Sequence, residues 1–143
     1  MARYVDGFVL VVPGDKVEDY RKMAEEGRDA WMRHGALSYY ECMGEDLTAK
    51  EMGGEKPIEF TKLANAKPGE TVWFSFIVFK SKQHRDEVNR KVMDEMSEKY
   101  KDMNEFSMPV DMKRFSYGGF EVVVEGESEE AIHRSSAQVG ASR

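Results

Sequence analysis

The hydrophobic and polar positions at the start of the chain predict a strand followed by a helix. The segment Tyr4–Val12 is rich in valine and phenylalanine and stops at Pro13, which is typical of a strand that ends in a turn. Asp15 and Glu18 then have the spacing of a capping box at a helix start. Apolar or small residues recur at helical steps until Gly35, a suitable C-cap. The members of this stripe are Val17, Tyr20, Ala24, Gly27 and Trp31.

The middle of the chain predicts two further strands joined by a long connection. Leu37–Met43 has strand character, and Val72–Phe79 has the strongest strand pattern because apolar residues occupy both of its faces. Between them, Gly44–Pro68 contains glycines and prolines without a clear period, and a short extended piece is expected at Ile58–Leu63. A connection of this length inside one domain is uncommon and is often functional or mobile.

The last third of the chain predicts a second helix and a final strand. Ser81 is a favourable N-cap for a helix that ends near Tyr100. Its buried stripe consists of Val88, Val92 and Met96. The final strand is expected at Met112–Val124, where Gly118 and Gly119 indicate a bulge or the close approach of another backbone.

The resulting element order is β-α-β-β-α-β. This order is the split βαβ, ferredoxin-like pattern, an antiparallel four-stranded sheet with both helices on one face. We therefore predict an α+β fold in which residues 1–125 form a single ferredoxin-like domain. Residues 126–143 contain few large apolar side chains, so we predict a disordered C-terminal tail there.

The strands are apolar on both faces, which predicts a partner for the sheet. Two helices cover one face only, and the other face is expected to be polar where it meets water. In the third strand, Val72, Phe74, Phe76 and Val78 occupy one face, and Trp73, Ile77 and Phe79 occupy the other. An apolar face wider than a few hundred Å² is rarely left bare. We therefore predict a homodimer that packs sheet to sheet, with the long connection as the alternative cover.

Composition and charge narrow the class of partner. The 143 residues include 21 basic and 27 acidic side chains, and the net charge of −6 disfavours nucleic acid as the main partner. No apolar run approaches the ~18 residues of a membrane span, and the first residues do not resemble a signal peptide. The single cysteine, Cys42, excludes an intramolecular disulfide. These features predict a cytoplasmic protein that binds neither nucleic acid nor membranes.

Four segments, which together cover most of the predicted domain, carry a family resemblance. They are YVDGF at residues 4–8, WMRHGALSYYEC at 31–42, ETVWFSFIVFKSKQHRDEVNRKVM at 70–93 and MPVDMKRFSYGGFEV at 108–122. In these segments the chain resembles the YbaA-like family of small bacterial proteins, a domain of unknown function. The connection at Leu47–Pro57 and the tail after Glu125 depart from the family pattern.

The resemblance implies a ferredoxin-like fold of the dimeric α/β-barrel kind and no known activity. The wider group of such folds includes cofactor-free monooxygenases, isomerases, haem-handling enzymes and stress-response proteins. The fold by itself therefore does not select a reaction.

Asp6, His34 and Glu41 are the candidate catalytic, acid–base residues. Asp6 interrupts an apolar strand, so it requires an ion pair, with Lys113 or Arg114 as the expected partner, or a solvated position near the strand end, or a raised pKa in a functional site. His34 is either a general base or a helix-terminal residue stabilised by the helix dipole. Glu41 lies in the second predicted strand, where it can line the end of a pocket.

Aromatic and basic residues complete the predicted ligand-binding set. An apolar pocket between the helices and the sheet is expected to be lined by Trp31, Tyr39, Phe74 and Phe76. His84 and Arg85 open the second helix, where they either bind an anion or form a solvated first turn. HExxH, CxxC, P-loop and GxGxxG motifs are absent from the sequence, so we predict neither a metal nor a cofactor.

Two functions remain open at the level of the sequence. One is a cofactor-independent enzyme that oxidises or isomerises a small aromatic or carbonyl compound in the predicted pocket. The alternative is a non-catalytic dimer, either small-molecule-binding or stress-related. A closed cavity of a few hundred Å³ with two or more convergent polar groups favours the enzyme, whereas a filled, polar-free interior favours the non-catalytic dimer.

Overall fold

A four-stranded antiparallel sheet and the helices packed on it make up the computed structural model of this chain. The structure describes residues 2–101 and 109–131. The strands are β1 Tyr4–Pro13, β2 Ser38–Met43, β3 Glu70–Phe79 and β4 Ser116–Glu121. The helices are α1 Val17–Arg33, the short α2 Phe60–Leu63 and α3 Lys82–Lys99. Two 3₁₀ turns lie at Gly14–Lys16 and Met112–Arg114.

The strand order in the sheet is β2-β3-β1-β4, and every neighbouring pair is antiparallel. The central pair is the longest, since β1 and β3 are in register from Tyr4 opposite Phe79 to Pro13 opposite Glu70. The prediction of a mixed fold with one antiparallel four-stranded sheet is therefore confirmed.

Both long helices pack on the same face of the sheet. Because side chains alternate along a strand, every second residue of β1 and β3 points to this face. Leu10 and Trp73 pack against Tyr20 of α1, and Phe79 packs against Val88 of α3. A fully buried side chain of this size contributes ~1.5–3 kcal/mol, so this layer holds both helices on the sheet.

The outer faces of α1 and α3 are charged. Arg21 pairs with Glu25 on α1, and Arg90 pairs with Asp94 on α3, all four side chains being more than half exposed. Exposed pairs of this kind contribute about 0–1 kcal/mol, so they favour solubility more than stability. Within residues 2–101 and 109–131, no helix combines the length and the apolar character that crossing a bilayer demands.

The start of α1 differs from its prediction, whereas its end agrees. Asp15 lies inside the 3₁₀ turn before α1, and the N-cap has no side-chain hydrogen bond, so the capping box with Glu18 does not form. At the other end Gly35 has a φ of 109°, a backbone conformation that favours glycine. The N–H of Ala36 then donates to the carbonyl oxygen of Trp31 at 3.0 Å, as in a glycine-capped helix end.

The N-terminus of α3 is capped as the sequence predicts. The Ser81 hydroxyl accepts a hydrogen bond from the backbone N–H of His84 at 3.1 Å. This bond satisfies one of the backbone donors that a helix start leaves without a partner. The cap fixes where α3 begins and therefore which of its side chains point towards β1.

The strand β4 is shorter than the predicted Met112–Val124, because the chain first makes a 3₁₀ turn. Pairing with β1 continues without interruption past Gly118 and Gly119, so the expected bulge is not present. A side chain, and not the expected second backbone, lies close to this glycine pair, since a Cβ atom at Gly119 would collide with the ring of Tyr4.

The long connection covers one end of the sheet face that the helices leave open. Its Leu47 and Ala64 pack with Val11 and Val72 in a small apolar cluster. Residues 60–63 form the helical turn α2 instead of the extended piece predicted at Ile58–Leu63. The long connection therefore does cover part of the open face, but the cluster that it forms lies at one end of that face.

Ending the chain at Gly126 is expected to leave the melting temperature unchanged to within about one degree. In the described part of the tail, Glu127 pairs with Arg3 at 2.7 Å, and both side chains are at least one-third exposed, so the pair adds little stability. Residues 132–143, which include most of the predicted disordered tail, lie outside the described residues. Differential scanning calorimetry tests the expectation, and a loss of several degrees would show that the tail packs on the domain.

Candidate functional site

A cavity of about 380 Å³ lies between the helical layer and the sheet. Its walls are mostly apolar and aromatic, and they come from α1, α3 and all four strands or the turns next to them. The wall residues include Phe8, Tyr20, Glu26, Trp31, Tyr39, Glu41, Ser75, Met93, Tyr100 and Phe115. A volume of several hundred Å³ with a few polar groups is typical of a small-molecule site.

One carboxylate on the sheet side of the cavity receives three hydroxyl hydrogen bonds. Tyr20 donates to Glu41 Oε2 at 2.8 Å, and Tyr39 donates to Glu41 Oε1 at 2.7 Å. The Ser75 hydroxyl also donates to Glu41 Oε2. We call these four residues the Glu41 cluster. Together their donors satisfy both oxygens of the carboxylate.

Three elements bring the Glu41 cluster together. Tyr39 and Glu41 are two residues apart on β2, so strand alternation places them on the same face. Ser75 lies opposite Glu41 in the β2–β3 register. Tyr20 reaches the carboxylate from α1, where it belongs to the buried stripe.

The two tyrosines of the cluster remain hydroxyl donors at physiological pH. Burial raises the pKa of Tyr20 and of Tyr39 far above the ordinary value of 10, and the neighbouring Glu41 charge raises both further. Neither phenol therefore becomes a phenolate base under these conditions. In the part of the chain that the structure describes, no basic side chain forms an ion pair with Glu41.

A second buried network lies beside the cavity and includes Asp6. The indole N–H of Trp31 donates to Asn89 Oδ1 at 2.9 Å, and Asn89 Nδ2 donates to Asp6 Oδ2 at 3.2 Å. Arg85 Nη1 lies 3.5 Å from Asp6 Oδ1, and the guanidinium stacks over the ring of Tyr4. Asp6 is only 4% exposed, so it meets the expectation of a paired carboxylate.

The partner of Asp6 is Arg85 of α3, which corrects the expectation of Lys113 or Arg114. Arg114 instead forms two hydrogen bonds with Glu70, at 2.7 and 2.6 Å, and a third with Asp111. The reason is the register of β4, because Asp6 lies opposite Gly119, five residues beyond Arg114. Asp6 also points towards the helical layer and not towards the open face of the sheet.

The pKa of Asp6 is expected to lie above its ordinary value of 3.8 in an NMR titration, because burial outweighs the Asn89 hydrogen bond and the Arg85 charge. The folded protein then holds this proton more tightly than the unfolded chain does. The stabilisation of the folded protein by this proton is complete below pH 3.8, the ordinary pKa of an aspartate. It is lost as the pH rises through the raised pKa of Asp6. The Asp6→Asn variant has no carboxyl group to lose this proton. Its unfolding free energy, measured relative to that of the parent, should therefore increase as the pH rises over the same range.

Chemical unfolding of parent and Asp6→Asn at a series of pH values completes that test. Arg85 keeps a second contact in the variant, since its Nε lies 3.2 Å from Asp86 Oδ1. An ordinary aspartate pKa together with unchanged stability would remove Asp6 from the candidate site residues.

His34 and His84 lie away from the walls of the cavity. His34 Nε2 is 3.0 Å from Glu95 Oε1, and its backbone N–H donates to Ala30, so it ties the end of α1 to α3. His84 accepts the backbone N–H of Lys80 through Nδ1 at 3.0 Å. Among the described residues, no group of three or more His, Cys, Asp or Glu side chains is arranged to hold a metal ion.

Phe74 and Phe76 do not line the cavity with Trp31 and Tyr39, which corrects the predicted pocket. Strand alternation places them on the opposite face, because Trp73, Ser75 and Ile77 point to the helices. With Tyr40 and Phe120 they form an aromatic patch on the open face, in which Tyr40 stacks on Phe76 at 5.0 Å between ring centroids. Phe74 is 47% exposed and Phe120 is 61% exposed.

Sequence reasoning missed Tyr20, Ser75 and Asn89 as site residues. Ser75 carried a signal, because it is the polar residue that breaks the apolar run VWFSFIVF. The sequence pattern places Tyr20 in the apolar stripe of α1 and gives no signal that its hydroxyl belongs to a site. Asn89 carried no signal, since a single asparagine in a helix rich in charged residues is ordinary surface composition.

The chain matches the family model described as "Protein of unknown function (DUF1428)" over residues 3–112. It is 39% identical over 125 residues to the uncharacterized protein YbaA of Escherichia coli strain K12, an alignment that covers 86% of this chain and 98% of that protein. The same figures hold for the uncharacterized protein YbaA of Shigella flexneri.

Solved structures give weaker matches. A Bacillus cereus protein related to NIF3 has a TM-score of 0.34 at 17% identity, and the match covers 89% of this chain and 28% of that one. The de novo designed protein Foldit4 has a TM-score of 0.37 at 11% identity, over 86% of this chain and 99% of the designed one.

Proposed function

This chain belongs to the DUF1428 family of proteins of unknown function, and we propose that it binds a small, largely apolar molecule in the cavity above the Glu41 cluster. The observation that carries this proposal is the convergence of Tyr20, Tyr39 and Ser75 on one carboxylate at the inner wall of an apolar cavity. Ligand sites typically combine an apolar lining with a few fixed polar groups that set orientation. A purely structural interior is normally filled and lacks such a space.

A second candidate function is catalysis by a cofactor-independent enzyme that acts on a small aromatic or carbonyl compound. Glu41 favours it, because a carboxylate next to a bound compound is suited to proton transfer. Of the three acid–base candidates, Asp6 and His34 are engaged with Arg85 and Glu95 outside the cavity. The three hydroxyl donors already on Glu41 favour binding, since they orient the carboxylate as an acceptor.

We also propose that the subunit is ferredoxin-like and works as a homodimer of the dimeric α/β-barrel kind. The sheet order β2-β3-β1-β4 and the two long helices on one face support the ferredoxin-like arrangement. The aromatic patch supports a partner on the open face, which the long connection covers at one end. A second copy is the partner we propose, because a two-fold axis places the same patch on both sides of an interface.

The proposed dimer leaves the cavity available to a ligand. Apart from Tyr40 of the edge strand β2, which also borders the cavity, the aromatic patch and the cavity lie on opposite faces of the sheet. A partner on the patch therefore does not cover the cavity walls from α1 and α3. Each large aromatic side chain removed from water contributes ~1.5–3 kcal/mol, which favours association. In this arrangement each subunit holds its own ligand site.

Native mass spectrometry of the purified full chain, with thermal-shift screening of small aromatic compounds, tests the proposed binding function. We expect retained or stabilising compounds for the parent and weaker binding by at least tenfold for Met93→Trp, which places a larger side chain in the cavity wall. Met32→Trp is the matched control, because Met32 is half-exposed on α1 and does not line the cavity. A parent chain that binds no compound, or a Met93→Trp variant that binds as the parent does, would contradict the proposal.

A further inference from the structure

We infer that the cavity selects an organic cation, namely a protonated or alkylated amine that carries an apolar body. This inference rests on the proposed binding function and specifies the class of ligand. Three properties of the cavity lead to it: the sign of its charges, the direction of its hydrogen bonds and the aromatic character of its walls.

The charged residues that line the described cavity are both acidic. They are Glu26 and Glu41, and the described lining contains no lysine, arginine or histidine. Glu26 is already paired with Lys99 at 3.2 Å, whereas Glu41 has hydroxyl partners and no ion pair among the described residues. An apolar lining strengthens the electrostatic interaction between Glu41 and a nearby charge relative to water. A positive ligand group is therefore favoured and a negative one is disfavoured.

The hydrogen bonds of the cluster point in one direction. The hydroxyls of Tyr20, Tyr39 and Ser75 all donate to Glu41, and the indole N–H of Trp31 donates to Asn89. What the three hydroxyls and the Glu41 carboxylate still offer to a ligand is oxygen lone pairs, which are acceptors, and the indole N–H is already engaged. A carbonyl or carboxylate ligand needs donors, so it would have to break one of these bonds, whereas an ammonium group donates into them.

Aromatic rings line the cavity both on the strand that carries Glu41 and across the sheet from it. Trp31 and Tyr39 have ring centroids 6.1 Å apart, and Phe8 and Phe115 have centroids 5.9 Å apart. The face of an aromatic ring is negative and attracts a cation, most strongly where water is excluded. Aromatic walls with a carboxylate behind them are the combination that recognises alkylated amines.

The test uses three probes of matched shape: 3-phenylpropylamine, 3-phenylpropanol and 3-phenylpropanoate, titrated calorimetrically into the full chain. We expect the amine to bind at least tenfold more tightly than the alcohol, and the carboxylate to bind most weakly. Glu41→Gln should reduce this preference for the amine at least tenfold. Glu87→Gln is the matched control, because it removes the same charge from an exposed position on α3 and should change the affinity less than about threefold.

The outcomes separate the two proposals. Binding of the alcohol or the carboxylate as tightly as the amine by the unmodified chain would overturn the cation inference and leave the binding site in place. Absence of binding by all three probes would count against the proposed function and, with it, against this inference. The comparison among probes uses the unmodified chain, so it remains decisive even if Glu41→Gln folds poorly.

Discussion

Replacing Phe76 with aspartate is expected to convert the proposed dimer into a monomer. Phe76 lies within the aromatic patch, between Tyr40 and Phe74, with ring centroids 5.0 and 5.7 Å away. An unpaired carboxylate cannot be buried there without a large desolvation cost, and the variant also loses the apolar area of phenylalanine. A two-fold interface contains the change twice, so the dimer dissociation constant should rise by about a hundredfold or more.

Light scattering coupled to size exclusion at micromolar concentration measures this result. We expect twice the subunit mass of 16.4 kDa for the parent and the subunit mass for the variant. Met32→Asp adds the same charge at a half-exposed apolar position on α1, away from the open face, and should remain dimeric. A stable 16.4 kDa monomer for the unmodified chain would contradict the sheet-to-sheet dimer.

Replacing Glu41 with alanine is expected to lower the free energy of unfolding by about 3 kcal/mol or more. The variant removes the shared acceptor of Tyr20, Tyr39 and Ser75, so three partly or fully buried hydroxyl groups lose their partner. Each unsatisfied buried polar group costs about 1–3 kcal/mol, and water entering the cavity recovers part of that cost. Such a loss is a large fraction of the ~5–15 kcal/mol that stabilises a typical domain.

Urea unfolding monitored by circular dichroism measures the loss. Glu41→Gln is the matched control, because its amide oxygen remains an acceptor in the same place, and it should cost about 1 kcal/mol. Adding Tyr20→Phe to the alanine variant removes one stranded hydroxyl and should recover part of the stability, which a double-mutant cycle reveals. If Glu41→Ala unfolds within about 0.5 kcal/mol of the parent, the cluster is not a stabilising centre.

The sequence located several parts of the site because they depend on local periodicity. The helical stripe of α1 places Trp31 towards the sheet, and strand alternation places Tyr39 and Glu41 on one face of β2. These two periods, applied to neighbouring elements, are sufficient to bring the three residues to one cavity. The apolar character of both faces of β3 is also visible in the sequence, and it indicates that one apolar face of the sheet is left exposed by the helices.

Other parts of the site depend on which elements pack together. Asp6 was expected to pair with Lys113 or Arg114 of the last strand, but both lie in the 3₁₀ turn before β4. Asp6 faces Gly119 instead, and its charged partner is Arg85 of α3. The sequence does not decide on which face of the sheet Phe74 lies. Both faces of β3 are apolar, and periodicity does not say which one meets the helices.

By itself, then, the sequence determined where the strands and the long helices lie in the chain and which residues of each share a face, because side-chain periodicity is a local property of the backbone. Only the tertiary structure decided that Tyr20, Tyr39 and Ser75 converge on Glu41, and that Asn89 links Trp31 to Asp6. These contacts join residues distant in the chain. Their formation depends on strand register and on the position of each helix over the sheet, which are set by the packing of the whole core and not by any one segment.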